Sequence, residues 1–290
     1  MRKLLVPFFI IPFLGCKEDK TRSKEVFPTV SYLDIRLDSN GHLPANPYVL
    51  TFRNGNKQIV FCGVEHLTDP NDTNNAMYKA IEARFADMKP EVAINEGGDV
   101  SHKVYTSKTD AIVKDGEIGL IKVLCDSAHI ETVDGDPSFE TEYRDLREKY
   151  TVGEILAYIT TERLMWGLKG GPEPDSAVLE DRFSKFVQGY FIKHGKAPLS
   201  ASEQQFNFYK VNYEKLLGRP FSLEHLEPTN PFDSTEKFQA IGRYSKEVRD
   251  QFLMRKIDSL LNIHDRVFVV FGGWHLLTCE PGLNAIIKRK

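Results

Sequence analysis

Two histidines stand in the same local pattern at opposite ends of the chain. Gly63-Val64-Glu65-His66 follows the apolar run Ile59-Val60-Phe61-Cys62, and Gly272-Gly273-Trp274-His275 follows Val267-Phe268-Val269-Val270-Phe271. With 20 Gly and 8 His in 290 residues, chance supplies about 0.5 G-x-x-H, so two behind buried-type strands point to a shared use. Glycine at a strand end lets the chain turn sharply, and the histidine three residues on swings back over the strand. Glu96 has the same placement, closing Glu91-Val92-Ala93-Ile94-Asn95-Glu96 before Gly97-Gly98. Two neutral imidazoles and a carboxylate form a common ligand set for a catalytic divalent cation such as Mn, Co or Zn, with one position open for water. The cation would bring that water's pKa from about 15.7 toward roughly 7. Arg249 is the candidate for stabilising an oxyanion, and its neighbour Asp250 for orienting either the arginine or a ligand histidine. Glu65 is a candidate general base. Asp134 and Asp136, in Asp134-Gly135-Asp136-Pro137, read as turn-formers.

The elements that must position these groups follow from periodicity. Tyr48 to Phe52 and Gln58 to Cys62 flank Asn54-Gly55, a β-hairpin with a primed turn. Met77, Ile81, Phe85 and Met88 share one face of a helix over 72–88, closed by Pro90. The strand of Glu96 comes next, then a helix over 118–127 and a strand over 130–134. That alternation predicts an α/β fold, a mainly parallel central sheet with flanking helices. In such sheets ligands bind at the carboxyl ends of the strands. Nothing between Tyr143 and Arg243 reads as a strand. Thr151 with Glu154 opens a helix to about Leu168, stopped by Gly170-Gly171-Pro172. A second runs over 177–193, and Ser200 with Glu203 opens a third to about Leu217. This stretch, about 143–243, reads as a helical insertion that shapes or covers a cleft. Its aromatic residues (Phe183, Phe186, Tyr190, Phe206, Tyr209 and Tyr213) read as core. The α/β pattern resumes with a helix over 245–261, Val248, Phe252, Ile257, Leu260 and Leu261 inward, and the last apolar strand.

Arg2 and Lys3 precede the apolar run Leu4 to Leu14, which ends at Gly15-Cys16. The run is too short for a hydrocarbon core that needs roughly 20 residues. It has the architecture of a cleaved export signal, and a small residue before a lone cysteine resembles a lipobox. Residues 1–16 are therefore expected to be a lipoprotein signal, with Cys16 lipidated, residues 17–28 a tether and 29–290 a single domain. The expected location is the cell envelope, anchored through lipid, at the outer membrane facing the periplasm or the surface. A hydrophobic content of 41% supports a substantial core, and a net charge of −3 without a basic stripe argues against nucleic acid. Cys62, Cys125 and Cys279 make no disulfide framework, and buried free thiols are the simplest reading.

Taken in order, Gly63-x-x-His66, Glu96, Arg249-Asp250 with Phe252-Leu253-Met254-Arg255-Lys256-Ile257, and Gly272-x-x-His275 resemble the TraB/Tiki superfamily. Erythromycin esterases and ChaN-like haem-binding lipoproteins belong to the same superfamily. The resemblance implies an α/β sheet with its site at the strand ends. From the Tiki branch it implies a divalent-metal-dependent protease, its ligands falling on His66, Glu96 and His275, with Arg249 assisting. The relatives of the esterase and ChaN branches carry an acid directly after the first glycine, where this chain has Val64 and places Glu65 one position later. The expected activity is a metal-dependent hydrolase of a peptide or small-molecule substrate, acting on amide rather than ester bonds. Three other readings stand beside it: a lipoprotein binding haem, iron or a small ligand on the same rim, a metal-independent esterase-like hydrolase, and a member whose motifs only hold the fold.

Overall fold

The computed structural model describes residues 25–67, 69, 71–169, 174–232 and 237–290. The expected signal, Cys16 and the Gly170-Gly171-Pro172 stop lie outside them. Strand β1 (Tyr48–Asn54) pairs antiparallel with β2 (Lys57–Val64). The turn falls one residue later than the sequence suggests. Asn54 is spent in the ladder opposite Lys57, and Gly55, with φ +54°, becomes the first central residue. Glycine there fits the twist of a primed turn.

Helix and strand then alternate: α1 (Ala76–Met88), β3 (Val92–Asn95), α2 (Lys108–Ala128) and β4 (Glu131–Asp134). Helix α1 begins four residues later than periodicity suggests, because the Asn75 side chain accepts the Met77 amide and caps it there. Helix α2 begins ten residues earlier than expected, capped by Ser107, and breaks at Asp115–Gly116, where Gly116 has φ +58°. Helices fill the stretch that follows: α3 (Phe139–Leu146), α4 (Val152–Thr160), a π-helical turn (Thr161–Met165), α5 (Trp166–Leu168), α6 (Ser176–Phe186), a second π-helical turn (Val187–His194) and α7 (Phe206–Leu217). The Thr151–Glu154 capping box forms. Ser200 and Glu203 also make their reciprocal bonds, but these brace a turn, and α7 starts only at Phe206. Last come α8 (Lys237–Leu260), β5 (Arg266–Gly272) and α9 (Gly273–Lys288). Phe252 on α8 is only half-buried, while Leu253 and Met254 turn into the core in its place. Among the described residues no helix is long and apolar enough to cross a membrane.

The sheet is mixed and mostly parallel, in the order β1-β2-β5-β3-β4. Among the described residues only β1 runs antiparallel to its neighbour. Strict alternation divides its side chains. Ile59, Phe61, Val267, Val269 and Phe271 face α8 and α9, whereas Val60, Cys62, Phe268 and Val270 face α1 and α2. The helical stretch packs a core of its own around Tyr158, Phe183, Phe191, Tyr209 and Tyr213. The last strand in sequence therefore occupies the middle of the sheet. This places the ends of β2, β5 and β3 side by side, with β4 at the edge.

The glycines of the two motifs serve close approach rather than a sharp turn. Neither Gly63 nor Gly272 has a positive φ. A Cβ on Gly63 would lie 2.8 Å from the Gly273 Cα and 3.1 Å from Leu276, so only glycine lets α9 sit against β2. We expect Gly63→Ala to lower unfolding free energy by about 1–3 kcal/mol, the usual cost of overpacking a close-packed contact. A urea titration reads this as a lower midpoint with unchanged slope.

Candidate functional site

Arg249, on α8, reaches the strand ends from the side and lies between two carboxylates. Its Nη2 donates to Glu96 Oε1 at 2.6 Å and its Nε to Asp136 Oδ1 at 2.7 Å. The three side chains are 15–17% exposed. The second oxygen of each carboxylate is also bound. Glu96 Oε2 accepts the Gly272 amide at 2.5 Å, and Asp136 Oδ2 accepts the Gly97 amide at 2.9 Å. Gly97 and Gly98 have φ of +94° and +104°, a backbone path that favours glycine and lets the chain fold from Glu96 toward Asp136. Burial disfavours the charged form of Glu96, but Arg249, then His275 and His66, more than offset it, and the carboxyl falls from its ordinary 4.5 to about 2. Against burial, the same two carboxylates hold Arg249 well above the ordinary arginine value.

Each motif histidine has a carboxylate behind its Nδ1. His66 Nδ1 lies 2.5 Å from Glu117 Oε1, and His275 Nδ1 lies 2.5 Å from Asp250 Oδ1. The Glu117 hydrogen bond raises the His66 imidazole above its ordinary 6.5, against the pull of burial. The side chain of His66 is 60% exposed and that of Glu117 8%. His275 is different, buried on the first turn of α9. Asp250 is fully buried and also accepts Thr278 Oγ1 at 2.9 Å, and the buried Tyr32 hydroxyl lies 3.1 Å from the same His275 nitrogen. The pairing of Asp250 with a histidine was one of two roles its position on α8 suggested.

Glu65 lines a cavity with His66, Glu96, Arg249 and His275, but its carboxylate is bonded to the segment before β1. Its carboxylate accepts the Leu43 amide at 2.7 Å and pairs with His42 Nδ1 at 3.1 Å. Asn46 bonds both its backbone amide and its carbonyl. The residue thus ties the segment before β1 to the rim, and its carboxylate is engaged there rather than poised as a base.

His66, Glu96, Arg249 and His275 line one cavity of about 530 Å³, together with Glu65, Trp274 and Lys246. A second cavity, of about 610 Å³, shares His66, Glu96 and Arg249 and extends under the helical stretch to Glu142, Glu162, Arg163 and Tyr190. The helices do cover a cleft. Tyr190 is the exception among the aromatic residues read as core, since its ring forms part of that wall.

The expected three-ligand metal shell is not assembled. Glu96 has both oxygens committed, one to a guanidinium and one to an amide, while each histidine is held through Nδ1 by its own carboxylate, which leaves its Nε2 uncommitted among the described residues. Among the described residues no group of three or more His, Cys, Asp or Glu side chains is placed to hold a metal ion. Glu96, with both oxygens bonded, is the member of the expected donor set that is not free for an ion. Asp136 corrects a second expectation. Asp134 does form the turn, its Oδ1 accepting the Asp136 amide at 2.9 Å, but Asp136 belongs to the site as half of the clamp on Arg249.

Sequence reasoning also passed over Glu117, Lys246, Glu142, Glu162 and Tyr32. The only local signal for Glu117 is the Asp115-Gly116 break directly before it. Cys62, Cys125 and Cys279 are free and buried, and burial pushes the Cys62 thiol up to about 12, which removes it as a nucleophile.

Fold and site together define an α/β protein with a charged cleft at the carboxyl ends of a mostly parallel sheet. The chain matches no family model, no curated protein and no solved structure.

Because Glu96 is held down at about 2 in the folded chain, its charge supports the fold above about pH 4.5 and that support is lost as pH falls toward 2. The shift corresponds to about 3 kcal/mol. The stability advantage of wild type over Glu96→Gln should therefore shrink by roughly that amount between pH 6 and pH 2 in urea unfolding. Arg249→Met leaves two partly buried carboxylates without their cation and should cost about 3 kcal/mol at pH 7.

Proposed function

We propose that this chain is a hydrolase of amide or ester bonds, working from the strand-end cleft with His66 as general base and no metal in its catalytic shell. One observation carries the reading. An exposed imidazole, backed at 2.5 Å by a buried carboxylate, opens into a cavity it shares with a partly buried guanidinium.

In this scheme Glu117 holds His66 with its Nδ1 proton toward the carboxylate, leaving Nε2 as the basic nitrogen. Nε2 takes a proton from a cleft water as the oxygen attacks the carbonyl carbon, and the carbonyl electron pair moves to oxygen. The developing oxyanion lies against Arg249, whose Nη1 donates no hydrogen bond among the described residues while Nε and Nη2 are fixed by Asp136 and Glu96. A cation anchored by two carboxylates needs no reorganisation as charge develops, which is the condition for useful electrostatic stabilisation. As the tetrahedral species collapses, His66 returns its proton to the departing nitrogen or oxygen. His275, fixed by Asp250, Thr278 and Tyr32, forms the cavity wall beside Glu96 and adds to the field there.

Four carboxylates in the larger cavity, Glu96, Asp136, Glu142 and Glu162, weigh against the haem-binding alternative there. Export and lipid anchoring through Cys16 remain part of the proposal on the sequence pattern alone, as does the TraB/Tiki likeness.

The test is a panel of chromogenic amides and esters assayed with purified residues 17–290. Activity should persist after exhaustive chelation and fall by about 10²–10⁴-fold in His66→Ala. Loss on chelation with recovery on adding Mn, Co or Zn would replace this mechanism with the metal-dependent one. The pH profile gives a second check. Protonated His66 is inactive, so kcat/KM should rise with pH through a group above 6.5. Glu117→Gln removes the carboxylate that favours the imidazolium, so the same rise should move to lower pH while the maximum falls.

A further inference from the structure

His66, Glu96 and Arg249 belong to both cavities, so the candidate catalytic group sits where two spaces meet rather than at the bottom of one. Volumes of about 610 and 530 Å³ are each within the range that accommodates a ligand of moderate size. The two arms differ in their walls. The arm beside β5 and α9 is lined by Trp274 and Lys246. Trp274 packs edge-to-face on Phe232 with ring centroids 4.5 Å apart, which fixes it as an apolar wall.

The arm beneath the helices carries Glu96, Asp134, Asp136, Glu142 and Glu162 against Arg163 and Arg249. The pairing inside it is uneven. Arg249 is bound at 2.6 and 2.7 Å, but Arg163 stands 3.6 Å from Glu142 and 3.7 Å from Glu162, and Lys246 stands 3.5 Å from Glu162. Ser245 Oγ and the Tyr158 hydroxyl complete the contacts of those two carboxylates. The guanidinium of Arg163 lies over the face of Tyr190, 5.1 Å from its centroid. The wall already holds a cation on an aromatic face between carboxylates. Its excess of negative charge, lining a cleft, concentrates an attractive field for another cation.

We propose that the substrate is an elongated molecule bound across both arms, with the bond to be cleaved at His66, an amine or guanidinium in the helical arm beside Glu162 and Tyr190, and an apolar group against Trp274. The inference rests on the hydrolase reading for the placement of the scissile bond, but not for the binding itself.

Binding can be read without catalysis. The chain has two tryptophans, so Trp166→Phe leaves Trp274 as the sole indole reporter. In Trp166→Phe/His66→Ala, acetylated trilysine amide, trialanine amide and triglutamate amide are titrated by calorimetry and by Trp274 emission. Trilysine should bind at least tenfold more tightly than triglutamate, shift Trp274 emission and weaken as salt is raised from 20 to about 200 mM. Glu162→Gln and, separately, Tyr190→Leu should reduce the trilysine preference about three- to tenfold, with far-ultraviolet circular dichroism confirming that each variant stays folded. Equal or tighter binding of triglutamate overturns the cationic arm. Tight trilysine binding with unchanged Trp274 emission overturns the two-arm placement. The expected binding in a chain that cleaves no member of the amide and ester panel would sink the hydrolase reading and leave this inference standing.

Discussion

The structure is organised around one partly buried guanidinium. Arg249 is carried on a helix, yet it is Glu96 at the end of β3 and Asp136 just past β4 that hold it, and Glu96 in turn holds the Gly272 amide at the end of β5. One cation therefore fastens three strand ends to the helix beside them. Removing two carboxylates and an arginine from water is costly, and mutual attraction repays this only when every lone pair and proton is directed. Here the four carboxylate oxygens each have a partner, so the centre is rigid as well as charged.

That rigidity explains the division of labour between the two histidines. His275 is buried in a closed network of Asp250, Thr278 and Tyr32, so its ring position is fixed by the core itself. Among the described residues His66 has a single fixed partner, Glu117, and it lines the cleft. Two residues in the same local sequence pattern thus have different freedom, and the open one is suited to exchanging protons with a bound molecule. The glycine before each histidine has a packing reason. Gly63 admits α9 against β2, and at Gly272 a Cβ would lie 3.0 Å from Glu96 Oε2.

The helical stretch between β4 and β5 adds what the sheet cannot supply. A mostly parallel sheet offers strand ends and little else, so a cavity of any depth needs walls from outside it. Glu142, Glu162, Arg163 and Tyr190 provide them, from α3 and from π-helical turns. π-Helical turns open the backbone relative to an α-helix and often occur at functional positions. The largest group of aromatic residues lies behind this wall, where it holds the helices together.

Sequence alone determined the sheet and its rim. Period-two apolar runs, an Asn-Gly turn and alternating helices set the strands, because side-chain alternation and positive φ are local properties. The placement of His66, Glu96, Arg249 and His275 around one cavity was legible because G-x-x-H behind apolar strands, and a glutamate before two glycines, mark strand ends directly. What those residues bind to was not legible. The spacing that suggested a metal shell says nothing about Glu96 being taken by Arg249, or about Asp136 leaving its turn to complete the clamp. Nor could it show that the last strand enters the middle of the sheet, or that a break at Gly116 aims Glu117 at His66. Those outcomes depend on charges and backbones far apart in the chain competing for the same lone pairs, and only tertiary packing decides which partner wins.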